Sequence, residues 1–333
     1  MLLVQLDSNA HVEGCLRAIA SAGLTAVKFW PEIGLAICLG DMPSSIGDSI
    51  IKVEEDGYVD APTLNSAICP PYFHQKLNLR EAHKFSTGRG ARIWLLDTGI
   101  WPRAEFGQRI EHLLSATSSA ATDDHGHGTH VAGIAAAAET GDTGLLGVAP
   151  GATLNSVKVL SANNTGCWSN VIAGLMLATR HGAQVINISL GATVAPDALR
   201  LAVDHAAKSA LIVAAAGNLA VPHPFYPAKY ENVFAVGALD SENRRYPLSN
   251  QDKVDVYAYG RQVLSTTLND SYECRTGTSM AAPQVAGLAA LLIEQGYAIE
   301  DLRDLIVGRA DGDRINVLRT LDIKRTLVPL AVV

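Results

Sequence analysis

The strongest constraint on this chain is an alternation of short apolar runs with longer stretches of helical spacing. It begins near residue 91 and continues almost to the C-terminus. Residues 91–96 form a run that is apolar apart from Arg92 and ends at Asp97-Thr98-Gly99, and mostly apolar runs occupy 156–160, 185–189, 211–215 and 233–236. Helical spacing fills 128–138, 168–180, 198–209 and 279–295 between and after them. Strands apolar along most of their length, without strict alternation, are buried on both faces, as in a parallel sheet covered by helices. The pattern therefore predicts an α/β fold with a mostly parallel sheet and helices on both sides. Sites in such sheets gather at the carboxyl ends of strands, which is where Asp97 stands.

The first 65 residues follow another pattern. Residues 2–6 alternate as a strand, 11–22 carry Val12, Leu16, Ile19 and Ala20 at helical spacing, and Gly23 stops that helix. Two strands at 25–30 and 33–39 join at Pro31-Glu32, a second helix is predicted at 44–50, and a last strand at 51–55. The order β-α-β-β-α-β predicts a small ferredoxin-like α+β domain over 1–65, followed by the larger α/β domain over 66–333. Residues 62–89, with Pro70-Pro71, read as a polar connector.

Composition narrows the partners. The 333 residues carry a formal charge of −7, the reverse of the basic footprint that nucleic-acid binding needs. No run of about 18 apolar residues suggests a membrane span. The N-terminus reads as a strand and not as a signal peptide, so the expected location is the cytoplasm. The five cysteines, Cys15, Cys38, Cys69, Cys167 and Cys274, are widely spaced and include no C-x-x-C pair, so zinc is not expected. They read as free thiols, with one disulfide left open.

Three segments bear chemistry. Amide hydrolysis through a serine needs an imidazole to take the hydroxyl proton and a carboxylate to orient that imidazole. Leu95-Leu-Asp-Thr-Gly-Ile100, His125-Gly-His-Gly-Thr-His-Val-Ala-Gly133 and Gly277-Thr-Ser-Met-Ala-Ala-Pro-Gln-Val-Ala-Gly287 contain these groups in the chain order Asp, His, Ser. The three segments resemble those of the subtilisin-like serine peptidases (subtilases), and the resemblance extends from about Leu3 to Leu321.

The resemblance implies a serine endopeptidase with Asp97, His127 and Ser279 as its catalytic triad. It implies Asn218, at the end of Ile212-Val-Ala-Ala-Ala-Gly-Asn218, as the side-chain oxyanion donor. His130, one turn further along the helix, is expected in the core, and His125 at the rim. Peptides are expected to bind as an added strand between Asn164-Thr165-Gly166 and Ser189-Leu190-Gly191. Asn164-Thr165 stands where the family usually has Gly. Trp168 is a candidate wall for a distal subsite. Ala215, Ala216, Gly217 and Phe225 are expected to line the pocket for the residue before the scissile bond (P1), with the Phe225 ring restricting it to small or medium side chains. Ala282 and Gln284 depart from the family's usual Ser or Thr and His.

No cofactor is required by this chemistry. A structural Ca²⁺ is the one ion the resemblance brings, with Glu139 and Asp142 as oxygen ligands and Glu105 nearby but displaced. Residues 1–62 resemble the family's inhibitor-type propeptide, which acts as an intramolecular chaperone and inhibitor. Self-cleavage is expected within 62–66, after Leu64 or Asn65. Two further readings stay open: a maturation peptidase dedicated to one leader peptide, and a catalytically idle binding or chaperone module.

Overall fold

The computed structural model describes residues 1–7, 10–47, 49–61, 64–66, 72–140 and 144–321. The N-terminal unit contains β1 (Leu2–Leu6), α1 (Val12–Ser21), β2 (Thr25–Trp30), β3 (Leu35–Leu39) and β4 (Ile50–Glu55). Its sheet order, β2-β3-β1-β4, is antiparallel throughout, which is the ferredoxin-like arrangement. Ile19 and Cys15 of α1 pack against Leu2, Val4 and Leu6 of β1 in a small core of their own. The second helix predicted at 44–50 does not form: described residues there are bends and a turn. Pro43, Ser44-Ser45 and Gly47 give that stretch turn chemistry, and it is too short to pay nucleation by itself.

Two short strands lead out of this unit, β5 (Tyr58–Asp60) and β6 (Leu64–Ser66). The connector then folds into α2 (Phe73–Lys76) and α3 (Leu79–Ala82), which bury Phe73 and Leu79 completely. The main body continues with β7 (Arg92–Asp97), β8 (Ile110–Ser115), α4 (His127–Ala136), β9 (Thr153–Lys158), β10 (Thr165–Cys167), α5 (Trp168–Arg180), β11 (Val185–Ile188), α6 (Asp197–Ala206), β12 (Leu211–Ala215), β13 (Phe234–Leu239) and β14 (Val256–Tyr259). It ends with β15 (Val263–Thr266), β16 (Tyr272–Thr276), α7 (Thr278–Glu294), α8 (Leu302–Gly308) and α9 (Val317–Thr320). The predicted packing of residues 327–333 falls outside the described residues.

The seven-stranded sheet runs β14-β13-β12-β11-β7-β9-β8, and every pairing in it is parallel. Helices cover both faces, with one core around α4 and α7 and another around α5 and α6. The chain passes from β7 through β8 to β9 on one side, then crosses to β11 on the other side of β7. That reversal opens a crevice at the carboxyl end of β7. α7 is buried from Thr278 to Leu292, so its first turn is held rigidly inside the body.

Cys274 is disulfide-bonded, whereas Cys15, Cys38 and Cys167 are free; Cys69 lies outside the described residues.

Candidate active site

β7 delivers Asp97 at its last position, with no solvent exposure. Its Oδ1 accepts from Thr98 N at 2.7 Å and sits 2.7 Å from His127 Nδ1. A carboxylate acceptor there puts the proton on Nδ1 and leaves Nε2 with its lone pair, the state a general base needs. His127 Nε2 is buried without a hydrogen bond. His127 opens α4, and two glycines make that entry feasible. Gly126 takes φ 93°, and a Cβ on Gly128 would lie 2.1 Å from Gly99 O and 3.2 Å from Asp97 Cβ. Only a residue without Cβ lets the helix start this close to the strand.

Ser279 lies in the first turn of α7 and is 2% exposed. Its Oγ donates to Ser189 O at 3.0 Å, and Ser189 Oγ donates back to Ser279 O at 3.0 Å. Asn187 Nδ2 in turn donates to Ser189 Oγ. Asn218 is oriented by its own amide oxygen, which accepts from Thr278 N at 2.8 Å. Gly217 N donates to Thr278 Oγ1, tying the β12 loop to the start of α7.

Ser279, Asn218, Ser189, Leu190, Gly191, Ala215, Gly217 and Phe225 line one hollow together with Asp60 and Ala61. Ala216 does not join them: it is fully buried behind the hollow, where its carbonyl accepts from Phe225 N and Asn250 Nδ2. Phe225 is 7% exposed, and its ring would lie 2.8 Å from a Cβ on Gly217, so it fills one wall. Asn164 takes φ 60°, a left-handed backbone that Asn tolerates, which is how it replaces a glycine. Thr165 and Gly166 belong to β10, and a Cβ on Gly166 would reach Val159 O at 2.4 Å. Trp168 is buried and donates Nε1 to Val194 O.

The cleft holds the protein's own chain. β5 pairs antiparallel with β10, in the register Thr165↔Asp60, Gly166↔Val59 and Cys167↔Tyr58. On its other edge Asp60 O accepts from Gly191 N at 3.0 Å. Asn164 Nδ2 donates to Ala61 O at 2.5 Å. β6 pairs with β16, placing Leu64 opposite Thr276, three positions before Ser279.

Asp123 is a site residue that sequence reasoning missed. One oxygen accepts from Thr98 Oγ1, His125 N and Gly126 N, and the other from Thr129 N and Thr129 Oγ1, all within 3.0 Å. Burial works to raise its pKa, but the hydrogen bonds from Thr129, Gly126 and His125 outweigh it and the net shift is downward. Nothing in its neighbourhood in the sequence sets it apart from other acidic residues. Lys158 was also missed: fully buried, it donates to Thr98 O and Asp124 Oδ1. His130 is the core residue expected, bonded to Glu273 O and held well below the usual histidine range, first by burial and then by Arg275. His125 is half-buried, its ring centroid 6.4 Å from that of His127. Gln284 makes bonds of its own, taking Tyr259 N and donating to Tyr259 O and Met280 O.

The described oxygens expected near a Ca²⁺ have protein partners. Glu139 is gripped by both Arg80 nitrogens, and Glu105 forms a buried pair with Arg103 and accepts from Tyr272. Asp142 lies outside the described residues. Among the described residues no cluster of three or more His, Cys, Asp or Glu side chains is arranged for a metal.

The sequence model of the subtilase family (Peptidase_S8) matches residues 88–322, which span every element of this site except β5, β6 and Ala61. The chain belongs to the subtilase family. It is 38% identical to thermitase of Thermoactinomyces vulgaris over 252 residues, covering 72% of this chain and 90% of that protein. It is 44% identical to a thermophilic serine proteinase of Bacillus sp. (strain AK1) over 327 residues, 93% of this chain and 82% of that one. A crystal structure of a cold-adapted subtilisin-like serine proteinase superposes with a TM-score of 0.64 at 32% identity, covering 69% of this chain and 85% of that chain. This subtilase is a serine endopeptidase, and peptides or proteins are its substrates.

Proposed function

We propose that Asp97, His127 and Ser279 form the catalytic triad of this endopeptidase and that Asn218 supplies the side-chain oxyanion donor. The observation that carries this is the buried Asp97–His127 hydrogen bond, which leaves His127 Nε2 unpartnered at the start of α4, a helix that packs against α7, whose first turn carries Ser279. A change of Ser279 rotamer exchanges Ser189 O for His127 Nε2 as the acceptor of the hydroxyl proton. Oγ then attacks the scissile carbonyl while Nε2 takes the proton, and Asp97 stabilises the imidazolium. The carbonyl oxygen gains negative charge and is met by Asn218 Nδ2; such a donor contributes about 2.7–4 kcal/mol to the transition state, a figure measured on subtilisin itself. Nε2 passes the proton to the leaving amine, and water reverses the sequence to release the acyl group. Ser279→Ala should abolish turnover of a casein-type substrate and labelling by a fluorophosphonate; retention of either overturns the assignment.

The N-terminal region, by the same reading, is an intramolecular inhibitor removed by self-cleavage. This reading is supported by β5, which pairs with β10 and meets Gly191 N as an extended peptide would, and by β6, which pairs with β16 so that Leu64 lies opposite Thr276. The register favours a bond between Ala61 and Leu64 over the bonds after Leu64 or Asn65 that the sequence suggested. Mass spectrometry of wild type should give a new N-terminus at residue 62, 63 or 64, while Ser279→Ala stays whole. A cut elsewhere sinks the register.

Phe225 sets the P1 preference in this account. Its ring against Gly217 leaves room for small or medium side chains only. Phe225→Gly should raise kcat/KM for P1 Phe by about tenfold or more over P1 Ala, since one pocket methylene is already worth about 1–3 kcal/mol. An unchanged ratio would show that the ring is not in the way.

A further inference from the structure

Away from the cleft, two imidazoles meet for no reason that peptide hydrolysis supplies. His112 stands on β8, at the edge of the seven-stranded sheet, opposite Asn155 of β9, which is in turn opposite Trp94 of β7. Cross-strand partners share a face, so these three side chains lie side by side. His181, directly after α5, closes against them. The ring centroids of His112 and His181 are 4.9 Å apart; Trp94 stacks on His112 at 5.6 Å and lies 5.7 Å from His181.

The electronic state of this pair is partly fixed. His181 Nδ1 is 3.0 Å from Leu177 O. A carbonyl can only accept, so Nδ1 carries the proton and the neutral ring keeps a bare lone pair on Nε2. Neither imidazole pairs with a carboxylate among the described residues. Asn155, wholly buried on the same face, has both amide atoms without a partner, and Trp94 Nε1 is in the same condition.

We propose that His112 and His181 form a two-imidazole site for a borderline transition-metal cation such as Zn²⁺, Ni²⁺ or Cu²⁺, with water in the remaining positions. Two imidazoles on one ion, at metal–nitrogen distances of about 2.0–2.1 Å and a near-tetrahedral angle, place their ring centres about 5 Å apart. The observed separation already meets that requirement. Ligating histidines characteristically donate their other N–H to a carbonyl or carboxylate, as His181 does to Leu177 O. The Trp94 face fixes the plane of His112, and Asn155 Oδ1 is an unmet acceptor for a coordinated water. With nitrogen donors and no carboxylate, the site selects against Ca²⁺ and Mg²⁺.

The test uses the full chain carrying Ser279→Ala, so that self-digestion does not intrude. Ni²⁺, Zn²⁺ and Cu²⁺ are titrated by calorimetry at neutral pH, and Cu²⁺ also by tryptophan fluorescence. One saturable site is expected, with Cu²⁺ quenching part of the emission; Ca²⁺ should give no such site. His181→Gln changes an exposed ring that the fold does not need, and should weaken binding by more than about tenfold. His112→Gln should do the same, and Trp94→Phe should keep the calorimetric site while losing the quenching. Undiminished binding in His181→Gln, or no saturable site in the parent, overturns the proposal.

Discussion

At the scale of single residues, the groups proposed to do chemistry lie in segments that the sequence marks, and those that hold them do not. Asp97, His127 and Ser279 sit in segments whose neighbours are constrained by the same geometry, such as Gly128 against Gly99 O, so the motif and the fold carry the same information. Asp123 bears no such local mark, because its five donors come from Thr98, His125, Gly126 and Thr129 only after the loop and the strand end have met. Ala216 was misplaced for the converse reason: its neighbours in sequence line the hollow while its own side chain points behind it. Asp123→Asn should cost about 1.5–3 kcal/mol of stability, the range for hydrogen bonds to a charged group, and should lower kcat more than it raises KM. The carboxyl is held below its unfolded range, so its stabilisation is full above the unfolded pKa and is lost as pH falls through the folded value. Denaturant midpoints of wild type and Asp123→Asn should therefore converge in acid. A gap that stays constant with pH would mean that the carboxylate's charge is not what stabilises the loop.

Among elements, strands buried on both faces and long helices declared themselves through periodicity, whereas the connector from 62 to 89 concealed α2 and α3. Each of those helices has four residues, too few for a spacing to be visible, and each exists because Phe73 and Leu79 find the main core. The edge strand β8 was hidden too, since its side chains are only half-buried and mix Glu111 and His112 with leucines. Long-range polar clamps finish the elements. Glu294, the last residue of α7, takes Ser86 Oγ, Thr87 N and Gly88 N on one carboxylate oxygen, at 2.6–2.7 Å. Lys253 donates to the carbonyls of Ala228, Tyr230 and Val233 at 2.7–3.0 Å. Lys253→Met keeps much of the stem but leaves the Ala228 and Val233 carbonyls without this donor, while Tyr230 O keeps Val233 N, and should lower the thermal midpoint by several degrees, at about 1–3 kcal/mol per unmet group. An unchanged midpoint would show that water replaces the ammonium without cost.

For the whole molecule, the sequence indicated two units but not the way they meet. The N-terminal sheet docks on the starts of two helices. Asp56 accepts from Ser169 N and Oγ at the start of α5, and Glu54 accepts from Asp197 N and Ala198 N at the start of α6. Lys52 pairs with Asp197, and Arg180 with Glu32. Negative groups at helix starts are favourable in themselves. Under the proposed self-cleavage, Asp56→Asn with Glu54→Gln should weaken retention of the N-terminal unit. Activity should then appear earlier after cleavage, with the new N-terminus unchanged. Equal lag times would place the holding force in β5 alone.

β5 lies with one edge on β10 and the other on Gly191, so a substrate that takes its place in the proposed binding mode must arrive with both of its backbone edges bare. A helix has spent those groups on itself, and an inner sheet strand has spent them on its neighbours. A target is therefore opened at its loops, its ragged ends, or wherever thermal motion briefly peels a segment loose. Between two proteins carrying the same cleavable stretch, the one whose stretch melts more easily will be cut first, so the cleft ranks its victims by the looseness of their folds.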